Sequence, residues 1–161
     1  MARAGFYAVE SGKISFRRDG HWYNDDERIE NPRIALLFSR SLKRAPDGGY
    51  YLQVAEERAP VTVEDTPYVV VTVEDAPDGG LIVVTNDEER EPLDPATLVV
   101  GAEHVLYCMV KGGRFRARFL RSAYYHLADR FVAGDGGKGF AIEINGRRYP
   151  IRYAAAAHNP S

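Results

Sequence analysis

Val61-Thr62-Val63-Glu64-Asp65-Thr66-Pro67-Tyr68-Val69-Val70-Val71-Thr72-Val73 sets two β-branched runs on either side of a charged corner. β-Branched side chains lose rotamer freedom in a helix and pack well on a pleated surface, so both runs predict strands. Pro67 cannot donate to a strand ladder and biases Thr66 towards extended backbone, which puts the break between the runs and stiffens it. Glu64 and Asp65 therefore fall at a corner. Two adjacent carboxylates there cost desolvation if buried and mean little if exposed.

Outward from this corner the chain reads mostly as strands. The segments 14–18, 50–55, 61–64, 67–74, 81–86, 98–100, 105–110, 140–145 and 147–153 are short, rich in β-branched and aromatic residues, and separated by turn residues. A strand at 5–10 pairs with 14–18 around Ser11-Gly12, and Asp78-Gly79-Gly80 and Asn145-Gly146 are hairpin turns. His21-Trp22-Tyr23 opens a further strand.

Two helices interrupt the strands. The first is expected over 31–44, with Asn31 as N-cap, Pro32 at the first helical position, and Ile34, Leu37, Phe38 and Leu42 at helical spacing. The second is expected over 114–131, where Phe115, Phe119, Ala123, Leu127 and Phe131 step by four and draw one apolar stripe. Trp22, Leu37, Phe38, Val70, Phe119 and Leu127 are the predicted core. Asp47-Gly48-Gly49 and Asp135-Gly136-Gly137 stand 88 residues apart, each between a helix and a strand pair. They suggest a duplicated helix–hairpin unit. The fold class is α+β, with antiparallel sheets and two main helices. One compact unit over 1–161 is expected, divisible at about residue 75 into 1–75 and 76–153, with a loose tail at 154–161.

Composition narrows the function classes. The chain has 161 residues, a net charge of -2 and one cysteine, Cys108. No internal disulfide can form, and a reducing cytoplasm is the natural compartment. No stretch approaches the ~20 apolar residues of a membrane-spanning helix, and the first residues carry no apolar signal-peptide run. The near-neutral charge argues against nucleic acid as a partner. Charge is nonetheless segregated. Residues 56–95 carry two Lys/Arg against twelve Asp/Glu, while residues 96–161 carry ten against four.

Few groups suggest chemistry. His21, His104, His126 and His158 show no metal-ligand spacing, and Asp25-Asp26-Glu27 lacks the alternation of a calcium loop. No metal or cofactor is called for. The Gly-rich 134–139 loop follows a helix and precedes a strand, the reverse of a phosphate loop. Cys108 sits in the apolar strand 105–110 and reads as an inert buried thiol. Lys111, Arg114, Arg116, Arg118 and Arg121 form the densest basic cluster, suited to phosphate or carboxylate if it is exposed as a helix face.

Several ordered pieces resemble the bacterial family known as domain of unknown function 1285, over residues 14–151. Asp19-Gly20-His21-Trp22-Tyr23 resembles its Asp-Gly-x-Trp motif. Leu37-Phe38-Ser39-Arg40-Ser41-Leu42 with Asp47-Gly48-Gly49-Tyr50-Tyr51-Leu52 is similar to its first helix and following strand. Val63-Glu64-Asp65-Thr66-Pro67-Tyr68-Val69 is close to its Val-Glu-Asp-x-Pro-Phe element. Thr85-Asn86 and Pro92-Leu93-Asp94 follow in the family's order, and Arg121-Ser122-Ala123-Tyr124-Tyr125-His126-Leu127 resembles its Arg-x-x-Phe-Tyr-x-Leu. The chain departs at Val54-Ala55-Glu56-Glu57, where the family has Thr-Pro-Val-Glu. The resemblance implies an α+β fold of two related subdomains, with signalling or ligand-sensing use and no reaction.

The reading is a ligand-binding or regulatory module whose partner is a small molecule or a protein. The candidate ligand-binding residues are Glu64, Asp65, Arg121 and Tyr125. Arg121 is expected to pair with Glu64 or Asp65, as a structural ion pair or as a ligand site, with Tyr125 one turn on. No catalytic residue is assigned. The alternatives are a small hydrolase or transferase using Glu64 and Asp65, and an RNA-contacting protein using a basic helix over 114–121.

Overall fold

The computed structural model describes residues 13–154. The strand expected at 5–10 lies outside them, as does the tail from 155. The chain forms two units. Residues up to Tyr68 join Asn86–Glu88 in the first, and Val69–Thr85 joins the chain from Glu89 onward in the second.

The first unit holds β1 (Ile14–Phe16), β2 (Trp22–Asn24), β3 (Glu27–Arg28), α1 (Pro32–Ser41), β4 (Leu42–Arg44), β5 (Tyr50–Val54) and β6 (Glu57–Val63). Its six strands lie in the order β3-β2-β1-β6-β5-β4. β1 and β6 run parallel, Ile14 opposite Val61 and Phe16 opposite Val63. Helix α1 starts where its cap dictates: Asn31 Oδ1 accepts from the backbone N–H of Arg33 at 2.9 Å and of Ile34 at 3.4 Å. It stops at Ser41, three residues short of the expected end. Leu42, Lys43 and Arg44 pair instead with Leu52, Tyr51 and Tyr50, so a strand ladder takes the backbone groups that a longer helix would use. Phe16, Trp22, Phe38 and Leu52 are fully buried. The Trp22 ring lies 4.8 Å from Phe16 and 5.6 Å, edge-on, from Phe38. Leu37, expected in this core, is only half-buried.

The second unit is built on β7 (Tyr68–Asp75, from its second residue onward), β8 (Leu81–Thr85), β9 (Arg90–Pro92), β10 (Val99–Val100), β11 (Leu106–Val110), β12 (Phe115–Phe119), α2 (Arg121–Ala128), β13 (Phe131–Ala133), β14 (Phe140–Ile144) and β15 (Arg147–Tyr153). The strand order is β13-β14-β15-β10-β11-β12-β7-β8-β9. β10 and β15 are parallel. Both sheets are thus mixed, which corrects the antiparallel expectation. Parallel pairing joins strands distant in sequence and leaves no hairpin signal between them.

The larger correction is at 114–131. Residues 115–119 form a strand, and the helix begins only at Arg121. Alternation decides it: Ala117 and Phe119 are buried, Phe115 is half-buried on the same side, and Arg116 is exposed. Tyr107, Cys108, Met109 and Val110 of β11 stand opposite Arg118, Ala117, Arg116 and Phe115. The four-residue spacing of Phe115 and Phe119 fits a strand as well as a helix, because four is also a multiple of two. Helix α2 then buries Ala123 and Leu127.

The two units share one connection pattern. Three strands, a helix and three more strands form each set, with the first and last strands parallel: β1–β6 around α1, and β10–β15 around α2. Asp47-Gly48-Gly49 and Asp135-Gly136-Gly137 occupy the same step, between the first two strands after the helix. The repeating element is mostly sheet, larger than a helix–hairpin.

Candidate functional site

β1 alternates between core and solvent. Ile14 and Phe16 are buried, so Lys13, Ser15 and Arg17 face outward beside Thr62 and Glu64, which flank the buried Val61 and half-buried Val63 on and after β6. The turn after β2 closes one side with Asp25 and Asp26, two non-glycine residues at φ 53° and 75°. That left-handed backbone gives a turn matching strand twist, at a conformational cost asparagine and aspartate tolerate best. Together these residues line a cleft of about 430 Å³.

The cleft carries both signs of charge. Arg17 stacks on the Tyr23 ring at 4.0 Å from its centroid, and Nη2 donates to Asp26 Oδ1 at 2.6 Å. Its Nε–H reaches Ser15 Oγ at 3.3 Å. Asp25 Oδ1 accepts the Lys13 N–H at 2.9 Å. Glu64 accepts the backbone N–H of Arg18 at 2.9 Å, with the Arg18 guanidinium 3.6 Å from its other oxygen. The corner is set by the Glu64 N–H donating to Phe16 O at 3.0 Å. Next to the cleft, Asp19 accepts the His21 N–H at 2.9 Å and the Tyr23 hydroxyl at 2.5 Å. Partial burial pushes the Asp19 carboxyl up, but the Tyr23 and His21 hydrogen bonds and the charges of His21 and Arg28 outweigh it, leaving it below the ordinary value. The same bond holds the Tyr23 phenol above its usual range.

The four residues singled out from sequence fall on both units. Glu64 lines the cleft and Asp65 follows it, exposed, before the buried Thr66 and Pro67. The Thr66 hydroxyl donates to Tyr68 O at 2.6 Å and fixes the chain beyond the corner. Arg121 opens α2 in the second unit, exposed. Tyr125 is 59% exposed one turn on, its ring 5.8 Å from that of Tyr124. Sequence reasoning missed Arg18, the cation beside Glu64, because the pairing crosses 46 residues. The outward alternation Lys13, Ser15, Arg17 was visible in the sequence. The RNA-contacting alternative loses its basic helix, since Arg116 and Arg118 lie on β12. Among the described residues, no group of three or more His, Cys, Asp or Glu is placed to hold a metal ion. Among the described residues, no helix is long and apolar enough to cross a membrane.

Among the described residues the architecture is that of an α+β protein of two sheet units, each with one α-helix. Residues 8–66 match the family described as domain of unknown function (DUF1285), N-terminal domain. The chain is similar to the crystal structure of a DUF1285 family protein from Silicibacter pomeroyi, at 26% identity and a TM-score of 0.68, over 86% of this chain and 79% of that one. A DUF1285 family protein from Shewanella baltica shares the fold at 23% identity and a TM-score of 0.59, over 74% of this chain and 93% of that one. The comparison with curated proteins found no match. The N-terminal part of the chain thus matches a family described as of unknown function, in line with the resemblance of its motifs, and most of the chain shares the fold of solved DUF1285 family proteins.

Proposed function

We propose that the chain is a ligand-binding module and that the β1 cleft of the first unit takes a small polar molecule carrying both charges. The observation that carries this reading is the cleft itself, whose lining brings together Lys13, Arg17, Asp26 and Glu64 with the hydroxyls of Ser15 and Thr62. A zwitterion of amino-acid size answers both signs without leaving either charge unpaired. The cleft's volume falls within the range of small-molecule sites. Glu64 is its central carboxylate, with Asp65 beside it. Arg121 and Tyr125 are put forward as a separate polar contact on the second unit. A hydrolytic role for Glu64 is less well supported, because the residue is exposed and already ion-paired, whereas a general acid needs a shielded environment.

Native mass spectrometry of freshly purified protein tests the reading, followed by thermal shift with a panel of free amino acids. A co-purified small zwitterion, or a shift that Glu64→Gln and Arg17→Met both remove, supports it. A protein that carries no ligand and is shifted by none of the panel ends it.

A further inference from the structure

The arginines of β12 gain company once the second sheet is assembled. Val99 of β10 pairs with Arg152 of β15 on one side and with Tyr107 of β11 on the other, and Tyr107 pairs with Arg118 of β12. Residues directly opposite on paired strands point to the same face. Arg152, Val99, Tyr107 and Arg118 are therefore one row across four neighbouring strands. Alternation adds Met109 and Arg116, themselves opposite each other, and Arg148 with Pro150 on β15. The intervening residues fix the direction: Leu106, Cys108, Val110, Ala117, Phe119 and Ile151 are buried on the reverse face.

The face has two basic margins and an apolar centre. Arg148 and Arg152 stand on one margin and Arg116 and Arg118 on the other, three strand spacings or roughly 14 Å away. Val99, Tyr107 and Met109 lie between, all half-buried. Gly101 seats the ring: a Cβ there would stand 2.8 Å from Tyr107 Cε2, so the ring rests against bare backbone. The Arg116 guanidinium is 5.6 Å from the ring centroid. Arg116, Arg148 and Arg152 are exposed, and among the described residues none of the three is in an ion pair. Arg152 Nη2 donates instead to a neutral carbonyl, Ala96 O, at 3.1 Å. Of the flanking strands, β14 sets Glu143 opposite Arg148, and the Glu74 carboxylate of β7 is taken by Arg90. We infer that this face binds single-stranded nucleic acid, with phosphates on the arginine margins and a base against Tyr107. Guanidinium forks suit phosphate, and the central ring selects bases over acidic side chains, because every base has a face to stack. Salt screens charges beyond roughly 8 Å, so a ligand meets this face rather than the net charge of -2. The site belongs to the second unit and does not depend on the β1 cleft.

Fluorescence anisotropy of the full chain with labelled octamers of uridylate and of thymidylate, a duplex hairpin and octaglutamate tests this. At least one single-stranded octamer should bind, and a preference between the two identifies RNA or DNA as the source. With three or four phosphates neutralised, log affinity should fall against log salt with a slope of roughly -2 to -3. Arg116→Met and Arg152→Met should each flatten that slope by about 0.7. Both positions are exposed, so these variants keep the core, and unchanged thermal melting verifies that. Tyr107→Leu should weaken binding at least roughly fivefold and leave the slope unchanged. No binding of either octamer at about 50 mM salt, duplex or octaglutamate bound as tightly as the octamers, a slope unchanged in both arginine variants, or undiminished binding by Tyr107→Leu would each overturn the inference.

Discussion

The indole N–H of Trp22 donates to the hydroxyl oxygen of Ser39 at 2.9 Å, inside the first unit, and that oxygen also accepts from Asn86 Nδ2 at 2.8 Å. Three residues spread over more than sixty positions meet at one hydroxyl. Trp22 is 1% exposed and Ser39 3%, so neither bond can be exchanged cheaply for water. Ser39→Ala removes the acceptor and leaves a buried indole N–H unsatisfied. The expected loss is about 1–3 kcal/mol of unfolding free energy. Chemical denaturation of Ser39→Ala, Trp22→Phe and the double variant should show coupling, the double costing less than the sum of the two.

Asp19 should confer a stability that depends on acid. Its folded carboxyl sits below the ordinary 3.8, so the folded state holds fewer protons than the unfolded state around that pH. The stabilisation is complete above about pH 5, declines below the unfolded value and is gone once pH falls through the folded one. Asp19→Asn should be less stable than wild type at pH 6, and the gap should close on acidification. A gap that stays constant from pH 6 to pH 2.5 would contradict this assignment.

On β12, neighbouring residues should respond oppositely to the same change. Ala117 is fully buried and Arg116 is exposed, its guanidinium 5.6 Å over the Tyr107 ring. Ala117→Glu forces an unpaired carboxylate into the core and should cost several kcal/mol or prevent folding. Arg116→Glu should stay within about 1 kcal/mol of wild type. Thermal melting followed by circular dichroism distinguishes the two.

Cys108 should be silent in the native protein. It is 1% exposed, and burial, with the nearby charges of Glu91 and Asp94, pushes its thiol up to about 12. At pH 8 the thiolate fraction is then on the order of one in ten thousand, and the thiolate is the reactive form. Labelling with a disulfide reagent should be negligible in buffer and stoichiometric in denaturant. Rapid native labelling would place the thiol at the surface.

Legibility followed the range of the interaction. Helix α1 was readable because Asn31 and Pro32 announce its start locally, and the hairpin turns because glycine tolerates their backbone. The end of α1 was not, since it depends on pairing of residues 42–44 with 50–52. Residues 115–119 were misread because Phe115 and Phe119 satisfy two periods at once. The intervening Ala117, with charge at 114, 116 and 118, was the signal for a strand. Glu64 was recognisable as a motif residue, whereas Arg18, its partner, and Asn86, the partner of Ser39, sit 46 and 47 residues away. The shared strand–helix–strand plan left only the two Asp-Gly-Gly turns as a trace.

The bond from Asn86 to Ser39 also has a consequence in time. A ribosome adds about 5–20 residues per second. The last strand of the first unit ends at Val63, and Asn86–Glu88, which belong to the same unit, emerge 23 to 25 positions later. For roughly 1–5 s at that rate the nascent unit has its strands but not the amide that Ser39 receives or the Asp87 carbonyl that Arg40 Nε–H binds at 3.1 Å. A fragment cut at the family boundary, residue 66, would remain in that unfinished state permanently. Extending it through Glu88 would supply the missing partners.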